Sequence, residues 1–473
     1  MVSRKRSFCI YDQMAFSRLS GDFNPLHVDA LVASRSLFGS AVVHGVHLLM
    51  WALDAWCETR TEPHTLISLS VNFLKPVTVG ADVHLSGAVD LEGAKLTLHV
   101  SGLPVTTIEF RARRSATAFK FTSVSPQPAD PKVLDSIAIS TAEGTMSLMM
   151  DLLLASELVP SLARVLPANQ IAFMLAKSRL VGMECPGLHS LYSELNFAES
   201  EVTVSGEECL SYRVKRFDQR FSLATILVSA PGLDGSIKAF LRPEPQSQPG
   251  CYEVRAAIDT VSSSGLPFKS QRALVIGGSR GLGEVFAKVL AMGGAEVLLT
   301  YHRGQQAAAA IVADIKFSKG NATFMQYDVT VGQCSRLAAF KATHLYYMAS
   351  PFIGRGQRGQ FNPSVFANFC KYYVDGFAAT IASARHQGLV AIYYPSSVFL
   401  EELPVDMSEY IAAKSAGEVV CASLAKAYPA LCFAFPRLPR MATDQTASLL
   451  PSTNQAVLPL VMAQLEQFTK ETE

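Results

Sequence analysis

The hydrophobic and polar positions of the chain fall into three successive patterns. In the first, an apolar run over residues 40–55 predicts a helix, and alternation over 65–73, 81–86 and 96–101 predicts strands. A long hydrophobic helix followed by alternating strands is typical of a curved antiparallel sheet wrapped around that helix. We therefore expect an α+β fold in the first part of the chain.

The second pattern repeats this order more faintly. A helical stretch is predicted over 169–180, and strands are predicted over 188–197, 209–214, 221–228 and 236–242. We interpret it as a second copy of the same fold without obvious sequence identity to the first.

The third pattern alternates short apolar strands with helical stretches. The predicted strands are residues 273–276, 296–300, 344–348, 390–394 and 432–436. Alternation of this kind indicates a doubly wound parallel sheet with a Rossmann-like arrangement.

Two segments, 122–131 and 242–250, are rich in Pro, Ser and Gln and read as linkers. They predict three domains at 1–122, 132–242 and 252–473. A chain of 473 residues is long enough for each domain to bury a core of its own.

Composition narrows the possible partners. With 41 basic and 40 acidic residues, the chain offers no electrostatic reason to bind nucleic acid or an anionic membrane. Its 17% charged and 49% hydrophobic residues favour large interfaces, so we expect a homo-oligomer, a dimer or tetramer. The nine cysteines form no CxxC or Cys/His cluster, which predicts neither a metal site nor disulfides. No signal-peptide core or membrane-length apolar run is present, and a cytoplasmic protein is expected.

Asp22 and His27 flank an Asn-Pro pair near the start of the chain. The proline prevents a regular helix and fixes a tight local path that holds the two side chains together. A carboxylate and an imidazole so placed can add water across a double bond, one removing the water proton and the other protonating the substrate. The alternative is that Asp22 caps a turn and His27 lies in the core. His44, His47 and His64 are interpreted as structural.

The string Ser20-Gly-Asp-Phe-Asn-Pro-Leu-His27, with Phe38-Gly39, His44-Gly45-Val46 and 72–77 (Asn-Phe-Leu-Lys-Pro-Val), resembles MaoC-like (R)-specific enoyl-thioester hydratases of hotdog fold. The resemblance implies that Asp22 and His27 are the catalytic pair and that the Gly45 amide is the oxyanion donor. A serine found on the helix of some members is Leu53 here. The second pattern lacks an Asp-xxxx-His string, so we expect a non-catalytic hotdog that completes the sheet and walls the acyl pocket. Its segments 186–190 and 216–220 are interpreted as a loop and a solvated strand.

A glycine-rich turn, Gly277-Gly-Ser-Arg-Gly-Leu-Gly283, follows the apolar strand at 273–276 and opens a helix. Such a turn binds a dinucleotide pyrophosphate, and the residues expected at the cofactor are Gly277, Ser279, Arg280, Gly281, Leu282 and Gly283. The second strand is followed by Arg303 and by no acidic residue. Because a carboxylate there would repel a 2′-phosphate and an arginine attracts one, the predicted cofactor is NADPH.

Tyr410 and Lys414 are spaced to share one face of a helix, and Ser397 follows the strand at 391–394. The ammonium can lower the pKa of the phenol and hold the nicotinamide ribose. The phenol can then protonate a carbonyl oxygen as hydride reaches its carbon, while Ser397 binds the same oxygen.

These residues, with Ser396-Ser397-Val398, the segment 410–417 and Thr443-Asp444, resemble 3-oxoacyl-thioester reductases among the short-chain dehydrogenase/reductases. The resemblance places Asp328 at the adenine of the cofactor. The Asn-Asn-Ala-Gly of that family reads Tyr-Met-Ala-Ser at 347–350, and the asparagine expected on the next helix is Tyr372 or Tyr373. The chain ends soon after Asp444, before the expected substrate lid and last strand.

Together the two resemblances imply a bifunctional enzyme. It would reduce a 3-oxoacyl thioester of coenzyme A or acyl carrier protein to the (R)-3-hydroxyacyl form and reversibly dehydrate that product to the trans-2-enoyl thioester. Three alternatives stay open: a hydratase with a vestigial nucleotide-binding domain, a non-catalytic partner of acyl carrier protein, and a tailoring enzyme for a sugar or polyketide chain.

Overall fold

The computed structural model describes residues 2–90, 92–115, 121–200, 208–261, 266–354, 356, 358–446 and 454–472. The chain forms two compact units. Among the described residues, the first unit extends to Glu244 and the second begins at Pro245.

The first unit contains ten strands and eight helices among its described residues. The strands are β1 (Val2–Ser7), β2 (His64–Phe73), β3 (Asp82–Val89), β4 (Gly93–Val100), β5 (Leu103–Arg114), β6 (Glu143–Ser147), β7 (Ser190–Glu199), β8 (Cys209–Asp218), β9 (Leu223–Ala230) and β10 (Leu233–Leu241). The helices are α1 (Ile10–Ser20), α2 (Pro25–Val28), α3 (Ala30–Ser34), α4 (Gly45–Cys57), α5 (Ser136–Ser140), α6 (Leu152–Leu158), α7 (Pro160–Val165) and α8 (Ala168–Arg179), which a π-helical turn (Leu180–Glu184) extends.

The strands of this unit form one antiparallel sheet with an internal repeat. Its order is β1-β3-β4-β5-β2-β7-β10-β9-β8-β6, so each half follows the same sequence of strands outward from the centre. The halves join where β2 pairs antiparallel with β7, from Ser68 opposite Ala198 to Asn72 opposite Glu194. This repeat confirms the expected double hotdog, although the predicted domain borders stay predictions.

Each half packs its sheet around one buried helix. Along α4, the residues from Val46 to Cys57 are all buried, and α8 occupies the corresponding place in the second half. The two helices share a single core with the inward faces of the strands. Burial of both helices on all sides explains why the sequence shows them as apolar runs and not as amphipathic stripes.

The predicted helix over 40–55 begins later than expected, at Gly45. The preceding residues are extended, because the Val43 N–H bonds the Val77 carbonyl at 2.8 Å and the Val79 N–H bonds the Ala41 carbonyl at 2.8 Å. Two β-branched valines favour this extended pairing over a helical turn. The helix therefore starts beside the Asp22–His27 loop.

Lys177 on α8 is fully buried in the second half of the unit. Its Nζ lies over the rings of Phe173 and Phe197 and donates to the Asn196 carbonyl at 2.9 Å. Burial holds the pKa of this amine well below its usual value. Folding therefore favours the neutral amine, and this term makes the fold more stable as pH rises toward the unfolded-state pKa.

We expect Lys177→Met to stabilise the fold at neutral pH by about 1–4 kcal/mol, the range seen when buried charged groups give way to apolar ones of similar size. The gain should shrink as pH approaches about 10, where the unfolded amine also loses its proton. Thermal unfolding across this pH range measures both effects, with the exposed Lys215→Met as control. A destabilised variant would mean that the bond to the Asn196 carbonyl outweighs the cost of burying the amine.

The second unit contains eight strands, nine α-helices and two short 3-10 helices (Val329–Val331 and Asp444–Thr446) among its described residues. The strands are β11 (Arg272–Ile276), β12 (Glu296–Tyr301), β13 (Asn321–Gln326), β14 (His344–Tyr347), β15 (Ala391–Tyr393), β16 (Ser396–Ser397), β17 (Cys432–Ala434) and β18 (Arg437–Leu438). The helices are α9 (Cys251–Val261), α10 (Gly281–Met292), α11 (Gln305–Phe317), α12 (Ser335–Ala339), α13 (Pro363–Cys370), α14 (Gly376–Ala384), α15 (Phe399–Glu402), α16 (Ser408–Ala427) and α17 (Val457–Thr472). A π-helical turn (Lys371–Asp375) joins α13 to α14.

Six strands of this unit form a parallel sheet in the order β13-β12-β11-β14-β15-β17. Hydrophobic clusters cover both of its faces, as an all-parallel sheet requires. The order reverses direction at β11 and β14, and ligands of such sheets bind at this switch point. The predicted doubly wound sheet is confirmed. No helix in the described parts of the chain is both long and apolar enough to span a membrane.

Candidate active sites

The loop that holds Asp22 and His27 is shaped by its own sequence. Helix α1 ends at Ser20 and is capped by Gly21, which takes a left-handed conformation with φ +76°. Asn24 then caps α2 by accepting from the Leu26 N–H at 3.1 Å, and Pro25 occupies the first helical position, where its missing N–H costs nothing. The resulting single turn places His27 on the same side as Asp22.

Asp22 is almost fully buried, with 3% of its surface exposed. Its Oδ2 accepts a hydrogen bond from the Ser178 hydroxyl at 2.8 Å, and its Oδ1 accepts from the Asn24 N–H at 3.3 Å. Burial raises the pKa of the carboxyl to about 7, although both hydrogen bonds act to lower it. Asp22 therefore exchanges a proton near neutral pH, as a catalytic acid or base must.

His27 presents one ring nitrogen to the cavity. Its Nδ1 lies 2.7 Å from the Val42 carbonyl oxygen, and because a carbonyl only accepts, Nδ1 carries the ring hydrogen and Nε2 is free to act as a base. Burial lowers the pKa of His27 to about 4, helped by the Arg242 charge and opposed by the bond to Val42. The imidazole is thus neutral at pH 7.

His44, which the sequence marked as structural, lies against this pair. Its ring stacks on that of His27 with centroids 3.8 Å apart, and its Nε2 is 3.1 Å from the Asp22 backbone oxygen and 4.0 Å from Asp22 Oδ2. Gln13 faces the other ring nitrogen at 3.0 Å. The potential ligand atoms of Asp22, His27 and His44 lie within 4.8 Å of one another, a spacing that could also hold a metal ion.

These residues open onto a cavity of about 320 Å³. Most of its walls are apolar and come from both halves of the unit, including Leu48 and Phe73 from the first half and Val181 and Phe240 from the second. An apolar cavity with a few convergent polar groups is the usual form of a small-molecule site. This cavity has that form, with Asp22 and His27 among its polar lining residues.

Gly45 also lines the cavity and is the first residue of α4. An N–H in the first turn has no partner within its own helix, and the helix dipole adds partial positive charge there. A Cβ at this position would lie 2.9 Å from the Phe73 ring, so the wall packs closely on the backbone. The placement matches the predicted oxyanion donor, whose role stays a prediction.

Sequence reasoning missed Ser178 and Gly182, which touch the Asp22 carboxylate from α8 and its π-helical extension. Both follow the loop by more than 150 positions and carry no local motif. Only folding of the second half against the first brings Ser178 and Gly182 to the Asp22 loop.

The glycine-rich turn lies between β11 and α10. Gly277 has φ +77°, and a Cβ there would lie 2.9 Å from the Ala349 backbone, so only glycine fits. The turn is fixed by the Gly277 N–H, which donates to the Thr300 hydroxyl at 3.0 Å. Ser279 and Arg280 precede the helix, and Gly281, Leu282 and Gly283 form its first turn. The N-terminus of α10 thus follows the turn directly, and its role in binding a phosphate stays a prediction.

The charges of Arg280, Arg303 and Asp328 all act on one tyrosine, Tyr372. Burial and the Asp328 charge raise the pKa of the Tyr372 phenol, and the two arginines oppose them. Asp328 caps the following turn by accepting from the Thr330 N–H at 2.9 Å, and it lies 3.1 Å from His302 Nε2. Predicted adenine and phosphate contacts therefore occupy one edge of the sheet.

The Ser397 side chain lies close to the Tyr410 phenol, and the role of the two in a reductase site stays a prediction. Burial raises the pKa of Tyr410 to about 12, although the neighbouring Ser397 side chain acts to lower it. The sequence instead predicted a pKa lowered by Lys414. The Lys414 ammonium donates to the Pro395 carbonyl at 2.6 Å, and burial lowers its pKa to about 7.

The sequence left open whether Tyr372 or Tyr373 stands where the family has an asparagine. Tyr373 is the one that packs against Tyr410. It lies in the π-helical turn, where its hydroxyl is 2.6 Å from the Ser350 hydroxyl. Its ring packs edge-on against Tyr410 with centroids 5.8 Å apart, and the Lys414 ammonium lies 4.1 Å from its centroid. A bulky phenol thus fills the space beside the reactive residues.

Comparison with known families agrees with this division. Residues 3–95 match the family model of the MaoC like domain, and residues 271–345 match that of the short chain dehydrogenases. No curated protein matches the chain.

Solved structures similar to the second unit include three NADP complexes. A short chain dehydrogenase from Burkholderia cenocepacia is 24% identical over 43% of this chain and 91% of its own, with a TM-score of 0.37. The angucycline C-6 ketoreductase LanV is 17% identical over 43% and 91%, with a TM-score of 0.40. A 3-oxoacyl (acyl-carrier-protein) reductase from Agrobacterium tumefaciens is 21% identical over 39% and 76%, with a TM-score of 0.36.

The strand orders, the two clusters of reactive side chains and the two family matches lead to one assignment. The chain carries a MaoC-like domain at its N-terminal end and a short-chain dehydrogenase domain at its C-terminal end.

Proposed function

We propose that the chain is a bifunctional acyl-thioester enzyme. It reduces a 3-oxoacyl thioester to the (R)-3-hydroxyacyl form with NADPH and reversibly dehydrates that product to the trans-2-enoyl thioester. The observation that carries the proposal is the Asp22–His27 pair, which opens onto an apolar cavity with its protons set for acid–base work. The acyl group is carried by coenzyme A or acyl carrier protein, and the expected homo-oligomer and cytoplasmic location stay predictions.

In the hydration direction, neutral His27 takes a proton from water through Nε2 as the oxygen attacks the β carbon. Asp22, which is protonated below about pH 7, gives its proton to the α carbon on the same face. The Gly45 N–H stabilises the negative charge that develops on the thioester oxygen. Dehydration uses the same groups in reverse, and in both directions the pair carries one proton.

For reduction, the glycine turn and the start of α10 would hold the pyrophosphate of NADPH, which supplies hydride to the substrate carbonyl. Because Gly277 packs closely on Ala349 and has no side chain, the pyrophosphate would contact the backbone of the glycine turn. Tyr410 donates a proton to the carbonyl oxygen, and Ser397 orients it. With its pKa near 12, the phenol keeps this proton at neutral pH, which suits reduction more than oxidation.

Arg303 supports the choice of NADPH over NADH, since it follows β12 where a ribose 2′-phosphate would lie. We expect Arg303→Glu to weaken NADPH binding roughly 10- to 100-fold, because a charge-assisted bond worth about 1.5–3 kcal/mol is lost and a repulsion is added. NADH binding should change little. Fluorescence titration of both cofactors measures this, with the exposed Arg336→Glu as control. Equal weakening for both would place Arg303 away from the 2′-phosphate.

One observation favours a second candidate, a hydratase with a nucleotide-binding domain that does not reduce. Lys414 faces the Pro395 carbonyl, and Tyr373 fills the space beside Tyr410. If NADPH does not draw the ammonium to its ribose, the reductase site lacks one of its three groups.

Product analysis separates these candidates. The purified chain is incubated with acetoacetyl thioester and NADPH, and separately with crotonyl thioester, while NADPH oxidation and enoyl-thioester absorbance are followed. Formation of 3-hydroxyacyl and enoyl products from the first substrate supports the bifunctional proposal. Hydration of crotonyl thioester without NADPH oxidation supports the hydratase alone, and no change in either assay contradicts both.

A further inference from the structure

The second half of the first unit touches the Asp22–His27 loop directly. Asn24 donates through Nδ2 to three carbonyl oxygens of that half, those of Gly182 at 2.9 Å, Gly187 at 3.3 Å and Leu188 at 3.1 Å. One side chain therefore ties the loop to the segment between α8 and β7. The loop is positioned by a part of the chain that has no acid–base pair of its own.

The Asp22 carboxylate itself rests on this half. Ser178, 2% exposed on α8, donates its hydroxyl proton to Asp22 Oδ2 at 2.8 Å. A serine within a helix commonly bonds the carbonyl four residues earlier, as Ser156 does to Leu152, but Ser178 reaches across to the other half instead. A hydrogen bond to a charged group in a buried site is worth more than a neutral one.

Gly182 provides the space for the same carboxylate. A Cβ on this residue would lie 2.0 Å from Asp22 Oδ1 and 2.7 Å from Oδ2, so an alanine here would have to displace the carboxylate. The π-helical turn at Leu180–Glu184 carries this backbone against Asp22. Such turns are rare and occur often at functional sites.

We propose that Ser178 is a positioning residue for Asp22, and that Ser178 with Gly182 forms a seat that holds the catalytic carboxyl in one orientation. The second hotdog is then part of the hydratase site and not only a wall of the acyl pocket. This inference rests on the proposed hydratase function of Asp22 and names how that site is built.

The ionisable groups that face Asp22 come from four elements. They are His27 on α2, His44 at the start of α4, Tyr192 on β7 and Arg179, which packs beside Gly21 at the end of α8. All four are present in the wild type and in a Ser178 variant. A difference between the two therefore reports the serine bond alone.

The first test is the pH profile of crotonyl-thioester hydration by Ser178→Ala. Losing a bond worth about 1.5–3 kcal/mol to a charged group should lower kcat roughly 10- to 100-fold and leave KM within about twofold. The pH above which activity falls should move upward, because the bond that stabilises the Asp22 carboxylate is gone. Ser156→Ala is the control. Unchanged kcat and pH profile, or a rise in KM alone, would overturn the proposal.

Gly182→Ala gives a second test, with a larger expected loss of kcat since its methyl group displaces the carboxylate. Gly250→Ala, whose Cβ would meet no atom within 4 Å, is the control for adding a methyl group. Full activity of Gly182→Ala would contradict the seat. Circular dichroism of each variant establishes that the fold persists.

A readout without turnover keeps this inference separate from the proposed function. Because the folded-state pKa of Asp22 exceeds its unfolded value of 3.8, the native state holds an extra proton between that pH and about 7, and stability falls across this window as pH rises. In Ser178→Ala the window should extend to higher pH in thermal unfolding. If wild type and Ser178→Ala show the same dependence of stability on pH, the proposed seat is wrong even if the protein hydrates crotonyl thioester. If the pH dependence of stability shifts but the wild-type protein does not hydrate the substrate, the seat is supported and the proposed hydratase function is rejected.

Discussion

Replacing Asp22 with asparagine is expected to lower the hydration of crotonyl thioester by roughly 10³-fold, since a positioned acid or base contributes about 10²–10⁴. An amide has nearly the same shape and still accepts the Ser178 hydrogen bond, but it cannot transfer a proton. The measurement is kcat/KM from the loss of enoyl-thioester absorbance. Asp29→Asn, which changes an exposed helix cap on the same loop, should leave the rate unchanged.

The pKa values of His27 and Asp22 also predict how the hydration rate depends on pH. Hydration needs His27 neutral and Asp22 protonated, so the wild-type rate should fall below pH 4 and above pH 7, following the two pKa values. In Asp22→Asn the fall above pH 7 should vanish from the residual activity. A variant that retains both the rate and this fall would assign the proton donor to another group.

Asp22→Asn should lower the hydration rate but should not lower the stability of the fold. Wild-type Asp22 destabilises the fold when it ionises in its buried site, whereas asparagine never ionises. We therefore expect Asp22→Asn to melt at the same or a higher temperature above pH 7. A loss of activity with retained stability separates a catalytic defect from unfolding.

The sequence predicted most closely the features that are local. Asp22 and His27 share one loop, and Tyr410 and Lys414 share one helix, so spacing alone brings each pair together. The buried helices and the central strands were visible for the same reason, because uninterrupted apolar runs mark elements buried on both sides. Strand β13 was missed because its residues mix polar and apolar types at the sheet edge.

Features that depend on distant contacts could not be read from the chain. Ser178 looks like any helical serine until the second half folds against the Asp22 loop. The direction of Lys414 likewise follows from the Pro395 carbonyl and the tyrosine rings around it, which no spacing rule predicts. Nor could the sequence show that burial, and not a neighbouring charge, would set the pKa of Tyr410.

The burial of Tyr410 affects whether the reductase site favours reduction or oxidation. Reduction uses the protonated phenol, which persists at every pH below about 12. Oxidation of a 3-hydroxyacyl thioester instead needs the phenolate. Below about pH 12 we therefore expect the titration of Tyr410 to leave the reductive rate unchanged, while the oxidative rate rises as pH increases.

We expect Tyr410→Phe to lower NADPH-dependent reduction of acetoacetyl thioester by roughly 10²- to 10⁴-fold, since the ring keeps its packing against Phe369 and Tyr373 but loses the proton donor. NADPH affinity, measured by fluorescence, should be unchanged because the glycine turn and Arg303 remain. Tyr252→Phe, at an exposed tyrosine of α9, is the control. Equal reduction by Tyr410→Phe and wild type would show that another group supplies the proton, and the Tyr373–Ser350 pair beside Tyr410 would be the next to replace.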